Sequence, residues 1–152
     1  MKKYCVVFTL LIFGIFTQKV FSHCEIPCGI YDDHMRIHMM EEHVTTIEKS
    51  INEIIRLQKE SPINYNQLVR WIQNKDKHAD LLSDIVTQYF MKQRIKYVPK
   101  SDSAAFNKYS AQLTLLHEIM VHSMQAKQTV DLSHVEALRN LINQFSKIYF
   151  KE

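Results

Sequence analysis

The chain has 152 residues, with 19 Lys and Arg against 16 Asp and Glu, a formal net charge of +3 and 46% hydrophobic residues. That length supports one domain with its own core and is too short for two ordinary ones. Three of the lysines and no acid fall in residues 1–22, so 19 less three leaves 16 basic against 16 acidic groups beyond them, a balance that gives no footing for nucleic-acid or charged-membrane binding.

The first element is an export signal. Lys2 and Lys3 form a basic start, Val6 to Phe16 an apolar stretch broken only by Thr9 and Gly14, and Val20-Phe21-Ser22 a small-residue cleavage site. The apolar run is shorter than the roughly 20 residues that span a bilayer. His23 before Cys24 argues against a lipid-modified cysteine, and an uncleaved anchor is the remaining alternative. Cleavage by signal peptidase after Ser22 places the mature protein, 23–152, in the periplasm or outside the cell, with no stable membrane association.

Residues 23–31 then read His-Cys-Glu-Ile-Pro-Cys-Gly-Ile-Tyr. With His23 as first residue, its α-amine, its imidazole, the Cys24 amide nitrogen and the Cys24 and Cys28 thiolates lie within six residues, five strong donors on one short segment. Cys5 leaves with the signal, so the mature chain keeps two of the three cysteines. In an exported protein the plain reading of this Cys-x-x-x-Cys loop is a disulfide. Copper or zinc binding is a second reading; thiol redox work is a third, although the Cys-x-x-Cys spacing is missing.

Four helices follow. Beyond residue 22 there is one glycine, Gly29, and prolines stand only at 27, 62 and 99, which suits long helices with short connections. Ile37, Met40, Val44, Ile47, Ile51 and Ile54 step by three and four along one helix face; Asp32 or Asp33 caps its start and Ser61-Pro62 ends it. A second stripe takes Leu68, Ile72, Ala79, Leu82, Val86 and Tyr89, with Trp71 beside it, and stops before Pro99. A third runs Phe106, Tyr109, Leu113, Leu116, Met120 and Met124 after Ser101-Asp102-Ser103. The fourth holds Val135, Leu138, Ile142, Phe145 and Tyr149, entered through Asp131 and a Ser133–Glu136 capping box. The expected fold is all-α, an antiparallel four-helix bundle with an N-terminal metal-binding hook at 23–31.

The hook string resembles that of the nickel-dependent superoxide dismutases, His-Cys-x-x-Pro-Cys-Gly-x-Tyr, matched here by His23, Cys24, Pro27, Cys28, Gly29 and Tyr31, with Asp32 following. That family is a small four-helix bundle carrying the hook at its mature terminus. The resemblance implies nickel, one per subunit: a square-planar Ni(II) site from the His23 amine, the Cys24 amide nitrogen and both thiolates, with the His23 imidazole axial in Ni(III). Thiolates and a deprotonated amide donate strongly and stabilise the higher oxidation state, bringing nickel into the range that dismutation needs. Pro27 fixes φ and Gly29 permits the turn that folds Cys28 toward Cys24.

The resemblance also places Tyr31 at the open face of the metal, ordering water or the incoming anion and helping with protons; packing the hook on the bundle is its plainer role. In the family a glutamate on the first helix bonds the axial imidazole and an interfacial arginine supports it. Here the segment after Tyr31 is one residue shorter, so the glutamate position falls on His38, which lacks a carboxylate's charge. The arginine position falls near Asn74, with Arg70 one turn earlier as the substitute. The implied function is conversion of superoxide to dioxygen and hydrogen peroxide by Ni(III)/Ni(II) cycling in a homohexamer, with Phe90, Tyr97 and Phe150 as candidate contacts. The competing class is an exported non-enzymatic helical module that binds copper or nickel, or carries a Cys24–Cys28 disulfide.

Other motifs read more plainly. His34 and His38 are four apart and capable of chelation, yet a solvated pair is the simpler view. His117 and His122 are five apart, about 140° around a helix, and do not form a zinc-protease motif. His43, His78 and His134 read as surface or half-buried polar residues. Met35, Met39 and Met40 read as core or interface rather than a copper site.

Overall fold

The computed structural model of the chain describes residues 29–150. The expected signal segment and the hook residues His23, Cys24, Pro27 and Cys28 lie outside the described residues. Four helices share one core: α1 (Asp33–Leu57), α2 (Tyr65–Asp84), α3 (Ser103–Gln128) and α4 (Ser133–Phe150). No strand occurs among the described residues, and none of their helices is long and apolar enough to cross a membrane.

Asp32 opens α1, its Oδ1 accepting the Met35 amide at 2.9 Å and satisfying one of the donors a helix start leaves unpaired. All six positions of the expected stripe are buried, from Ile37 at 6% exposure to Met40, Val44, Ile47 and Ile51 at 0%. The helix ends at Leu57, ahead of Ser61-Pro62.

In α2, Asn64 caps the first turn by accepting the Gln67 amide at 3.2 Å. The expected stripe needs correction here. Ala79, Leu82, Val86 and Tyr89 are buried, but Leu68 is half-buried and Ile72 is 38% exposed. The core-facing place between them belongs to Lys75, 3% exposed, whose stem packs inward while its Nζ donates to the Ala126, Lys127 and Thr129 carbonyls. These are end carbonyls that α3 itself cannot satisfy. Beyond Asp84 the helix continues without a break as a ten-residue π-helical segment, Ile85–Arg94, closed by a bond from the Ile95 amide to the Phe90 carbonyl at 2.8 Å.

Asp102 caps α3 by accepting the Ala105 amide at 3.1 Å. Its core face is Gln112, Leu115, Leu116, Ile119, Ser123 and Ala126. The expected stripe lies mostly beside that face; of its members Leu116 is in the core and Met124 is 51% exposed. Buried Gln112 and Ser123 interrupt the apolar pattern, which is why periodicity settled on the aromatic and methionine positions next to it. For α4 the stripe holds at Val135, Leu138, Ile142 and Phe145, with Leu141 added and Tyr149 half-buried. Asp131, rather than a Ser133–Glu136 box, opens it: Asp131 Oδ1 accepts the Ser133 amide at 2.9 Å, and the Glu136 amide donates to the Leu132 carbonyl.

Each neighbouring pair of helices runs antiparallel, as expected. Contacts between His43 and His78 and between Ser50 and Asn74 climb α1 while descending α2. Asp80 with Lys127, and Tyr97 just past the π segment with Tyr109, do the same for α2 and α3. Asp33 with Tyr149 and Glu48 with Arg139 join α1 to α4. The end of the bundle where the chain enters at residue 32 therefore also gathers the C-termini of the π segment and of α4.

Candidate functional site

At that end the chain enters the first helix through Gly29, Ile30 and Tyr31. Gly29 has φ +74°, and a Cβ built there meets nothing within 4 Å, so glycine is needed for backbone conformation rather than for space. Two residues on stands Tyr31, 39% exposed, with its ring edge-on to Tyr89 at 5.9 Å and the Arg94 guanidinium 4.4 Å from its centroid. Its hydroxyl donates to Gln93 Oε1 at 3.4 Å.

Beneath it lies Asp33, the first residue of α1. Asp32 has taken the capping role, so the Asp33 carboxylate is free to point inward. It accepts the Tyr89 hydroxyl at 2.6 Å, the Tyr149 hydroxyl at 2.7 Å, and a two-pronged contact from Arg94, Nε at 2.8 Å and Nη2 at 2.7 Å. Burial pushes the Asp33 carboxyl up, but the bonds from Arg94, Tyr89 and Tyr149, together with the Arg94 charge, outweigh it and hold it below the ordinary 3.8. Burial, reinforced by the Asp33 carboxylate, pushes the Tyr89 and Tyr149 phenols each to about 12. Hydrogen bonding to Asp33 raises Arg94 further above its already high value.

The π segment explains how two of these partners converge. Tyr89 and Arg94 are five residues apart, which on an α-helix is about 140° of divergence. Where bonding runs from residue i to i+5 a turn takes more residues, and side chains at that spacing diverge far less. Both reach the same carboxylate from one element.

The expected supporting residues do not join this cluster, and the His23 imidazole they were expected to support lies outside the described residues. His38 is exposed, its Nδ1 3.3 Å from Glu41 Oε2, on the outward side of α1. Arg70 lines a groove between α1 and α2 with Thr46, Lys49, Gln67, Trp71 and Asn74. It stands 24 residues before Arg94 on one continuous helix, so within a protomer it is on the order of 30 Å from Tyr31. The structure thus brings Tyr31 together with neither His38 nor Arg70. Asn74, the position aligned with the family arginine, donates to Ser50 Oγ at 3.0 Å.

Of the remaining histidines His117 is exposed, and the others are paired or packed. His34 stacks on Phe150 with centroids 3.8 Å apart. His43 and His78 meet through Nδ1 at 3.0 Å, and His122 and His134 at 3.2 Å, pairings between helices that spacing along the sequence does not reveal. Met40 is core and Met35 is 54% exposed. Among the described residues no group of three or more His, Cys, Asp or Glu is placed to hold a metal.

Asp33, Arg94, Tyr89 and Tyr149 were not singled out from sequence as a site. One signal was available, the Asp32-Asp33 doublet, because a helix start uses only one capping carboxylate. The others were hidden: both tyrosines read as core stripe, and a spacing of five carries no meaning under an α-helical period.

Fold and site together define an all-helical bundle whose chain-entry end gathers a carboxylate, an arginine and three tyrosines, and whose sequence carries two cysteines just ahead of Gly29. A family model described as nickel-containing superoxide dismutase matches residues 18–152. The chain belongs to that family: it is an oxidoreductase with nickel as its cofactor and superoxide as its substrate. The non-enzymatic alternative is set aside on that finding. No curated protein and no solved structure matches the chain.

Proposed function

We propose that the mature protein begins at His23 and dismutates superoxide with nickel held by the His23 amine and imidazole, the Cys24 amide nitrogen and the Cys24 and Cys28 thiolates. The donor set fits the metal: two thiolates with amine and amide nitrogens suit nickel in its higher oxidation state far better than oxygen donors would. When bound, nickel supplies a one-electron Ni(III)/Ni(II) couple, so that one superoxide is oxidised to dioxygen and a second, taking one electron and two protons, is reduced to hydrogen peroxide.

The chain's own contribution starts at Tyr31. In this reading its hydroxyl exchanges the long 3.4 Å bond to Gln93 Oε1 for one to the incoming anion or an ordered water, and relays protons from solvent. Tyr89 and Tyr149 stand nearby but are bound to other work, since each commits its proton to Asp33. This division of labour among three clustered phenols is the observation that carries the reading.

Maturation follows from the same ligand set. Signal peptidase cleavage after Ser22 frees the His23 amine, so export in our reading also activates the enzyme. The active form is a homohexamer with one nickel per subunit. Phe90 drops out as a contact because it is fully buried, and Phe150 packs on His34; Tyr97, 77% exposed, remains.

The test is stopped-flow decay of superoxide with nickel-loaded protein starting at His23, beside the same protein carrying one extra N-terminal alanine. Fast decay abolished by the added residue is expected. Equal decay in both, or none in either with nickel bound, overturns the reading.

A further inference from the structure

Tyr31 lies ahead of the first helix, so no regular backbone hydrogen bonding fixes it, yet the proposed reaction needs its hydroxyl in one place. What touches its ring is the guanidinium of Arg94 at 4.4 Å and the edge of Tyr89 at 5.9 Å. Arg94 is in turn clamped by Asp33 through both Nε and Nη2. A guanidinium held by its fork edge keeps its flat face free for an aromatic ring, which an ammonium cannot imitate. The Gln93 contact at 3.4 Å is the only further tie to the hydroxyl recorded among the described residues.

We propose that Arg94, held by Asp33, is a positioning residue for Tyr31: it carries the ring on its guanidinium face and so sets where the hydroxyl stands. The proposal rests on the dismutase reading of Tyr31. It excludes a simpler role in which Arg94 attracts superoxide by charge, because that charge is already matched by the Asp33 carboxylate at 2.7 Å. A one-residue shift of Arg94 along the π segment would leave the ring unsupported.

Two measurements test it. In the metal-free protein, nuclear Overhauser contacts between the Tyr31 ring and the Arg94 Nε proton should be present in the wild type and in Tyr31→Phe, and lost in Asp33→Asn. In the nickel-loaded protein, Tyr31→Phe should lower kcat/KM by roughly 100-fold if the phenol serves as a general acid. Arg94→Gln should approach that loss, and the double variant should be no worse than Tyr31→Phe alone. Arg94→Lys should fail to restore activity, whereas a steering charge would be restored by lysine. Additive losses, rescue by lysine, or no ring contact in the wild type would each overturn the proposal. If the wild type binds nickel and does not dismutate, the dismutase reading fails on its own, and the contact measurement on the metal-free wild type, which needs no variant, still decides whether Arg94 holds Tyr31.

Discussion

Asp33 accepts hydrogen bonds from three side chains on two other elements, and its charge is what makes them compatible. Replacing it by asparagine turns one acceptor oxygen into a donor facing Arg94 and removes the counter-charge. With Asp33 15% and Arg94 28% exposed, solvent screens part of that loss, and Asp33→Asn is expected to cost about 2–3 kcal/mol in urea unfolding of the metal-free protein. The same carboxylate gives the wild type an acid limb. Its folded pKa lies below 3.8, so the unfolded chain binds its proton first, and the stability from Asp33 is present above pH 3.8 and lost as pH falls below it. Asp33→Asn should flatten that limb; an unchanged slope would mean another group carries it. At this scale the sequence was informative where chemistry is local, as in the hook string and the Asp32 cap. It was silent on Asp33, whose partners are 56, 61 and 116 residues away.

The helices differ in how openly their faces can be read. In α1 every core position but Ser50 is apolar and the period is plain; α3 buries Gln112 and Ser123, and α2 buries Lys75 in the middle of its stripe, so there the core face is partly written in polar residues. Lys75 has a definite task between elements, donating to the three carbonyls at the end of α3 from the adjacent helix. Burial lowers its pKa, opposed by the neighbouring Asp76, and a cation at a helix C-terminus is favoured by the backbone dipoles. Lys75→Met keeps the stem and removes the amine, and should destabilise by about 1–2 kcal/mol, with faster amide exchange confined to the last turn of α3. Exchange rising evenly through the bundle would show that the stem, not the amine, is what matters. The π segment was beyond a reading by period, because nothing in Ile85–Arg94 breaks the α-helical alternation of apolar residues.

At the scale of the molecule, α1 and α2 are joined along their length by a histidine pair meeting through Nδ1, and α3 and α4 by a second such pair at the start of α4, while Asp33 and Lys75 tie the sequence-distant ends. Tyr65, Val69 and Ile72 on the outer face of α2, together with Tyr97, leave apolar surface exposed on the protomer. Such surface fits burial between subunits. Sedimentation velocity on the nickel-loaded protein should report a hexamer, and a monomer at micromolar concentration would refute that assembly. Architecture was the most legible property of the chain, since four stripes and short connections leave few other ways to pack. One consequence of the π segment reaches beyond packing to heredity. A substitution between Tyr89 and Arg94 changes one side chain, but losing or gaining a single codon there would rotate all that follows and part Arg94 from Tyr89. Between Tyr89 and Arg94 the length of the stretch therefore carries as much of the constraint as the two residues themselves.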